Sequence, residues 1–195
     1  MYTIKENIKE EIVIKNSKFI AFLVKIKNQD EISKALTSIK KDYPKATHYC
    51  YAYCLDNKKK ASDDHEPSGT AGIPILSVLE KNQLNDVLCV VVRYFGGIKL
   101  GAGGLVRAYQ KSVATCIQHA QLVKLEKGYQ ITMHFPYEQE KHFTQILKNA
   151  TIVNKTFTDK ITITFLISQE AFKKLQNQTK NILIEKEVLI EKESI

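Results

Sequence analysis

The 195-residue sequence predicts an α+β protein made of two small domains, and three observations point there. DVLCVVVRYF, residues 86–95, is a nearly continuous apolar, β-branched run that suits a strand covered on both faces. Two short β-rich runs and a helical stretch precede it as a β-β-α opening. After Gly128 the pattern restarts as β-α-β-β-α-β, the ferredoxin-like order. A hydrophobic content of 44% is enough to build a real core.

Each element follows from local pattern. Glu11–Lys15 and Lys18–Ile26 read as strands, separated by Asn16-Ser17, which suits a tight hairpin turn. Asp30 stands as a helix N-cap before Ile32, Ala35, Leu36 and Ile39, and Tyr43-Pro44 ends that helix. ATHYCYAYCL, residues 46–55, reads as a third strand with His48, Cys50 and Ala52 on one face. Tyr49, Tyr51 and Tyr53 share the other face, where aligned aromatics either pack in a core or stack nucleic-acid bases. DNKKKASDDHEPSGTAG reads as a polar loop leading to a helix around Ala71–Glu80. A helix from Leu105 to Ala120 places Val106, Val113 and Ile117 on one face.

The second half reads the same way. YQITMHF is a strand, YEQEKHFTQILKN a helix, TIVNKTF and KITITFLI two strands, SQEAFKKLQNQTKN a Ser-capped helix, and ILIEKEVLI a closing strand. The expected domains are therefore 1–128 and 129–195, joined around Lys124–Gly128 without a Pro/Ser-rich spacer.

Composition narrows the function classes. No stretch approaches the roughly 20 apolar residues of a membrane-spanning helix, and MYTIKENIKEE lacks the apolar run of a signal peptide, so the expected location is cytoplasmic. Cys50, Cys54, Cys89 and Cys116 form no CxxC pair and are expected to be reduced, buried thiols. The net charge of +8 is unevenly spread: residues 1–128 hold 20 Lys/Arg against 13 Asp/Glu, residues 129–195 hold 9 against 8. A polyanion is the natural partner for the basic part, the plain alternative being a lysine-solvated surface.

Two segments carry the chemistry. RYFGGIKLGAGGLVRAY, residues 93–109, holds Gly96, Gly97, Gly101, Gly103 and Gly104 between Arg93 and Arg107, with Tyr94 and Lys99. Bare backbone before a helix brings several N–H groups to an anion, and the helix dipole adds to the attraction. The stretch is neither GxGxxG nor GxxxxGK[ST], so it points to phosphate or RNA backbone rather than a known nucleotide turn, unless the glycines only make a tight strand-to-helix connection. In SDDHEPSGTAG, Asp63, Asp64 and Glu66 place three carboxylates beside His65 and Ser68. They suit a divalent cation or the nearby arginines. A Ser68 nucleophile lacks a suitably spaced histidine, so no catalytic residue, metal site or cofactor is assigned, and Pro67-Ser68-Gly69-Thr70 is expected to make a rigid turn and to cap the following helix.

ATHYCYAY, DDHEPSGTAGIPIL and VVVRYFGGIKLGAGGLVRAY, in this order, are similar to the signatures of the YigZ/IMPACT family. The resemblance covers most of residues 1–128, with weaker similarity beyond. It implies an N-terminal domain like the second domain of ribosomal protein S5 and a ferredoxin-like C-terminal domain resembling the last domain of elongation factor G. Eukaryotic relatives regulate translation through protein contacts. By position the motif residues are His48, Asp63, Asp64, Glu66, Ser68, Arg93, Tyr94, Lys99 and Arg107. Where the motif usually reads DDGEPSGTAG, this chain has His65 in place of the glycine, so a positive φ there would be strained.

The expected function is a non-enzymatic, translation-linked protein that holds RNA or the ribosome through a basic face around Arg93, Lys99 and Arg107, its acidic loop orienting those cations. The alternatives are an enzyme or binding protein for a small phosphorylated or nucleotide-like ligand between the two loops, and a protein-interaction module.

Overall fold

In the computed structural model the chain opens with a short strand that its sequence does not announce, β1 (Tyr2–Ile4), whose partner is Leu122–Lys124 at the far end of the first unit. Residues 1–56, 58–148, 150–177, 179 and 182–191 are described. β2 (Ile8–Ile14) and β3 (Ser17–Lys25) form a hairpin in which Ile14 pairs with Ser17. The two-residue turn is therefore Lys15-Asn16, one position earlier than expected, and both residues have positive φ, 44° and 62°. Hairpin twist demands that geometry at both central positions, and Asn tolerates it. Ser17 is left free to begin β3 as a buried residue.

α1 (Gln29–Asp42) is capped by Asn28 rather than Asp30. The Asn28 side chain accepts the Glu31 N–H at 3.0 Å, and Asp30 lies in the first turn, where its charge opposes the positive helix end. β4 (His48–Leu55) pairs with β5 (Lys58–Ser62), a strand where the sequence suggested only a polar loop. β5 is an edge strand, and three consecutive lysines suit an edge while hiding the alternation that marks a strand. Asn57 of that expected loop lies outside the described residues.

α2 (Gly72–Lys81), β6 (Val87–Tyr94) and α3 (Ala102–His119) follow. α3 begins three residues before the expected Leu105, and its buried stripe is Leu105, Ala108, Tyr109, Ser112, Val113, Cys116 and Ile117, with Val106 only half-buried. The sheet order is β2-β3-β6-β4-β5, every pair antiparallel. α2 and α3 cover one face, where Phe19, Ala21, Leu23, Cys50, Ala52, Cys89 and Val91 pack. α1 covers the other over Ile20, Phe22, Leu88, Val90 and Val92. Val87 to Val92 are buried throughout, because β6 runs through the middle of both layers. Tyr49, Tyr51 and Tyr53 pack on the α1 side, and the Tyr49 hydroxyl donates to the Tyr43 carbonyl at 2.6 Å, so these aromatics are core. All four cysteines are free and buried.

The two units are Met1–Lys124 and Leu125–Ile195, and the boundary falls inside β7 (Leu122–Phe135). A 3₁₀ turn (Tyr137–Gln139), α4 (Glu140–Ile146), β8 (Thr151–Phe157), β9 (Ile161–Ser168), α5 (Gln169–Gln176) and β10 (Ile182–Glu191) complete the second unit. Its strands run β10-β7-β9-β8, all antiparallel. Ile131, Met133, Ile161 and Phe165 meet Phe143, Phe172 and Leu175 of the two helices in one core. Ser168 caps α5 by accepting the Ala171 N–H at 3.1 Å. The expected helices also covered Asn149, Gln178, Lys180 and Asn181, which lie outside the described residues. Among the described residues no helix is long and apolar enough to cross a membrane.

Candidate functional site

Three strand ends bring the motif residues together. In the ladder Arg93 lies between Phe19 of β3 and His48 of β4, so Arg93 and His48 share the face covered by α2 and α3. The acidic loop after β5 runs over this corner. Arg93 Nη1 donates to Glu66 Oε1 at 2.5 Å, and the Tyr109 hydroxyl of α3 donates to the same oxygen at 2.8 Å. His48 Nε2 lies 3.8 Å from that oxygen, while its Nδ1 meets the Asp64 carbonyl oxygen at 2.8 Å. The Cys50 thiol donates to the Asp63 carbonyl oxygen at 3.0 Å and lies 3.2 Å from the Tyr109 hydroxyl. Burial pushes the Cys50 thiol up to about 12 and raises the Tyr109 hydroxyl far above the usual phenol range. Both keep their protons, so Tyr109 remains a donor to Glu66.

The acidic residues divide their work. Among the described residues Glu66 alone of the three binds a cation, and both it and Arg93 are buried. Asp63 accepts the N–H groups of Gly69, Ala71 and Gly72 at 2.9, 3.0 and 2.8 Å, capping α2 from eight residues upstream of its Ala71 N-cap position. Desolvation favours its neutral form, but the three backbone donors outweigh it and hold the carboxyl below the usual range. Asp64 accepts the Tyr49 N–H at 2.7 Å. Asp63 and Asp64 therefore anchor backbone instead of orienting arginines. Ser68 and His65 are exposed, and His65 does adopt positive φ, +70°. Among the described residues no group of three or more His, Cys, Asp and Glu side chains is placed to hold a metal.

The glycine-rich loop has a fixed root and an open tip. A Cβ on Gly96 would stand 2.0 Å from the Asn16 carbonyl carbon, so only glycine fits beneath the hairpin turn. The Gly96 N–H donates to Ser17 Oγ at 3.2 Å, the Phe95 N–H to Thr47 Oγ1 at 3.0 Å, and the Tyr94 hydroxyl to the Pro44 carbonyl at 3.2 Å. Beyond this root Gly97 and Gly101 have positive φ, and α3 begins at Ala102 with no side-chain cap. Gly103 meets nothing within 4 Å of its missing Cβ, and Gly104 only Leu100. The first N–H groups of α3 lack intrahelical acceptors and face an exposed surface. Lys99 and Arg107 are exposed there, and no ion pair among the described residues engages either. Arg93, by contrast, is 5% exposed and belongs to the support beneath the loop. Sequence reasoning missed Ser17 and Tyr109 as partners of this site. For Tyr109 the signal was its place four residues after Leu105 on the buried stripe of α3.

The signature described as the Impact N-terminal domain matches residues 15–117, more than half of the chain. The chain belongs to the IMPACT family. A similar IMPACT family member, YvyE of Bacillus subtilis, is 50% identical over 126 residues, 63% of this chain and 58% of the relative. YigZ of Escherichia coli, also an IMPACT family member, is 34% identical over 131 residues, 65% of this chain and 64% of the relative. The match thus spans less than two thirds of either relative. A crystal structure described as a hypothetical protein shares the fold at a TM-score of 0.70 with 26% identity, covering 94% of this chain and 95% of that one.

Proposed function

We propose that this IMPACT-family chain is a non-enzymatic, translation-linked protein of the cytoplasm that binds RNA or the ribosome through its glycine-rich loop and the start of α3. The observation that carries the reading is the uncapped, exposed N-terminus of α3, with Lys99 and Arg107 beside it and Gly103 bare for no packing reason. Residues 87–125 around it contain five Lys/Arg and no Asp or Glu, so nothing in this segment repels a phosphate backbone. Arg93 is assigned a positioning role: with Glu66 it supports the loop root through Ser17, which also receives the Gly96 N–H. The link to translation rests on the family, whose eukaryotic members act in translational control. Residues 1–128 are read as the IMPACT-type domain with the S5 domain 2-like fold, and residues 129–195 as a ferredoxin-like domain resembling the last domain of elongation factor G. The β10-β7-β9-β8 order with two helices on one core supports the second assignment.

Fluorescence anisotropy with a short structured RNA at several salt concentrations tests the reading. Wild-type binding falls steeply with salt, and Lys99→Ala/Arg107→Ala binds more weakly, with a log–log salt slope smaller by about one for each phosphate no longer neutralised. Equal binding by wild type and double variant removes the proposed surface. A partner that persists at high salt without RNA selects the protein-interaction alternative.

A further inference from the structure

We infer that the glycine-rich loop takes an unpaired RNA base on Phe95, so that its partner is single-stranded or looped RNA rather than a continuous duplex; the inference rests on the RNA reading above. Phe95 is 46% exposed and Ile98 likewise 46%, two large apolar side chains in a segment without acidic residues. The Phe95 backbone is held by its N–H bond to Thr47 and by the neighbouring Gly96 packed under Asn16, so the ring is presented from a fixed root. The Arg93 guanidinium, buried and bonded to Glu66, lies 5.6 Å from the centre of the Phe95 ring and packs against it.

The occupant follows from size and charge. A stable protein interface covers about 800 Å² on each partner, far more than one ring and one isoleucine offer. One aromatic ring matches one base, and every base has a π-face to stack on it. Lys99 and Arg107, both exposed in the same glycine-rich stretch, supply positive charge for the phosphates of such a strand. A base inside a duplex is already stacked and paired and does not reach such a ring, so the ligand must offer an unpaired one. The second unit also exposes an aromatic, Phe157, but that ring is stacked on Tyr137 with Lys155 4.9 Å from its centre, in a region of nearly balanced charge.

The test uses the full chain, which contains no tryptophan, so Phe95→Trp provides a single tryptophan, excited selectively over the nine tyrosines. An adenosine-rich RNA strand of about ten nucleotides quenches the Phe95→Trp emission, and the same sequence as a duplex does not. Phe95→Ala weakens strand binding about tenfold and leaves duplex binding unchanged. Phe157→Ala, the control, binds the strand like wild type. If Phe95→Ala binds the strand as tightly as wild type while Lys99→Ala/Arg107→Ala does not, the stacking inference is overturned and the RNA reading stands. If wild type binds neither strand nor duplex at low salt, both fall. Quenching of the Phe95→Trp emission by polyaspartate but not by RNA reassigns the loop to an acidic polypeptide and overturns the inference.

Discussion

Arg93 and Glu66, 27 residues apart in sequence, form a buried ion pair at 2.5 Å, and the Glu66 oxygen that receives the guanidinium also receives the Tyr109 hydroxyl. One carboxylate thus joins the acidic loop, the central strand and α3. Removing one member of such a pair strands a charge away from water. Glu66→Ala is expected to destabilise the protein by about 3–5 kcal/mol. Replacing both charges, as Glu66→Leu/Arg93→Met, should lose much less than the sum of the single variants. Urea unfolding of wild type, Glu66→Ala, Glu66→Leu, Arg93→Met and the double variant checks this, and a loss under about 1 kcal/mol for Glu66→Ala would show the pair to be dispensable.

His65 occupies a left-handed conformation that its side chain disfavours. His65→Gly, which restores the residue usual in the motif, should stabilise the fold by about 0.5–1 kcal/mol, read as a higher urea midpoint at unchanged m-value. No gain would mean that the imidazole makes compensating contacts.

Asp63 links the fold to acid. Its folded-state carboxyl titrates below the ordinary aspartate value, so its contribution is fully present above that value and is lost as pH falls through the lower, folded one. Asp63→Asn should cost about 1 kcal/mol at neutral pH through the weakened α2 cap. It should also flatten the decline of stability on the acid side of pH 4, the ordinary aspartate value being about 3.9. Melting temperatures of both proteins across the acid range decide it.

Two glycines of the same glycine-rich stretch, one in the loop and one in the first turn of α3, should respond oppositely to one methyl group. Gly96→Ala drives a Cβ into the backbone of Asn16 and should destabilise by about 1–3 kcal/mol or more. Gly103→Ala meets open space inside a helix and should stabilise by up to about 1 kcal/mol. If Gly103→Ala also weakens RNA binding, the bare backbone at that position serves the ligand and not the fold.

Elements with a strong internal rhythm were legible in the sequence. β6 announced itself by uninterrupted β-branched residues, and α1 by the spacing of Ile32, Ala35, Leu36 and Ile39. β1 and β5 were not, because a three-residue strand has no period and KKKAS carries edge-strand chemistry where an alternation should be. The motif residues were visible as a set, but their roles depend on depth. Arg93, Lys99 and Arg107 look equivalent in one dimension, yet only the first falls on an inward-facing position of a central strand. Asp63 and Asp64 resemble Glu66 in a row of letters. Three-dimensional hydrogen bonding separates two backbone anchors from one partner of a guanidinium.

The position of β6, enclosed by a strand on each side and a helical layer on each face, also governs motion. Its amide hydrogens reach solvent only when the whole first unit opens, so they should exchange with deuterium last and report its global unfolding. Edge strands β2 and β5 exchange through smaller local fluctuations. A segment that is quiet in this way fixes the starting point of the glycine-rich loop, and whatever mobility the loop has begins after Gly96 rather than within the strand.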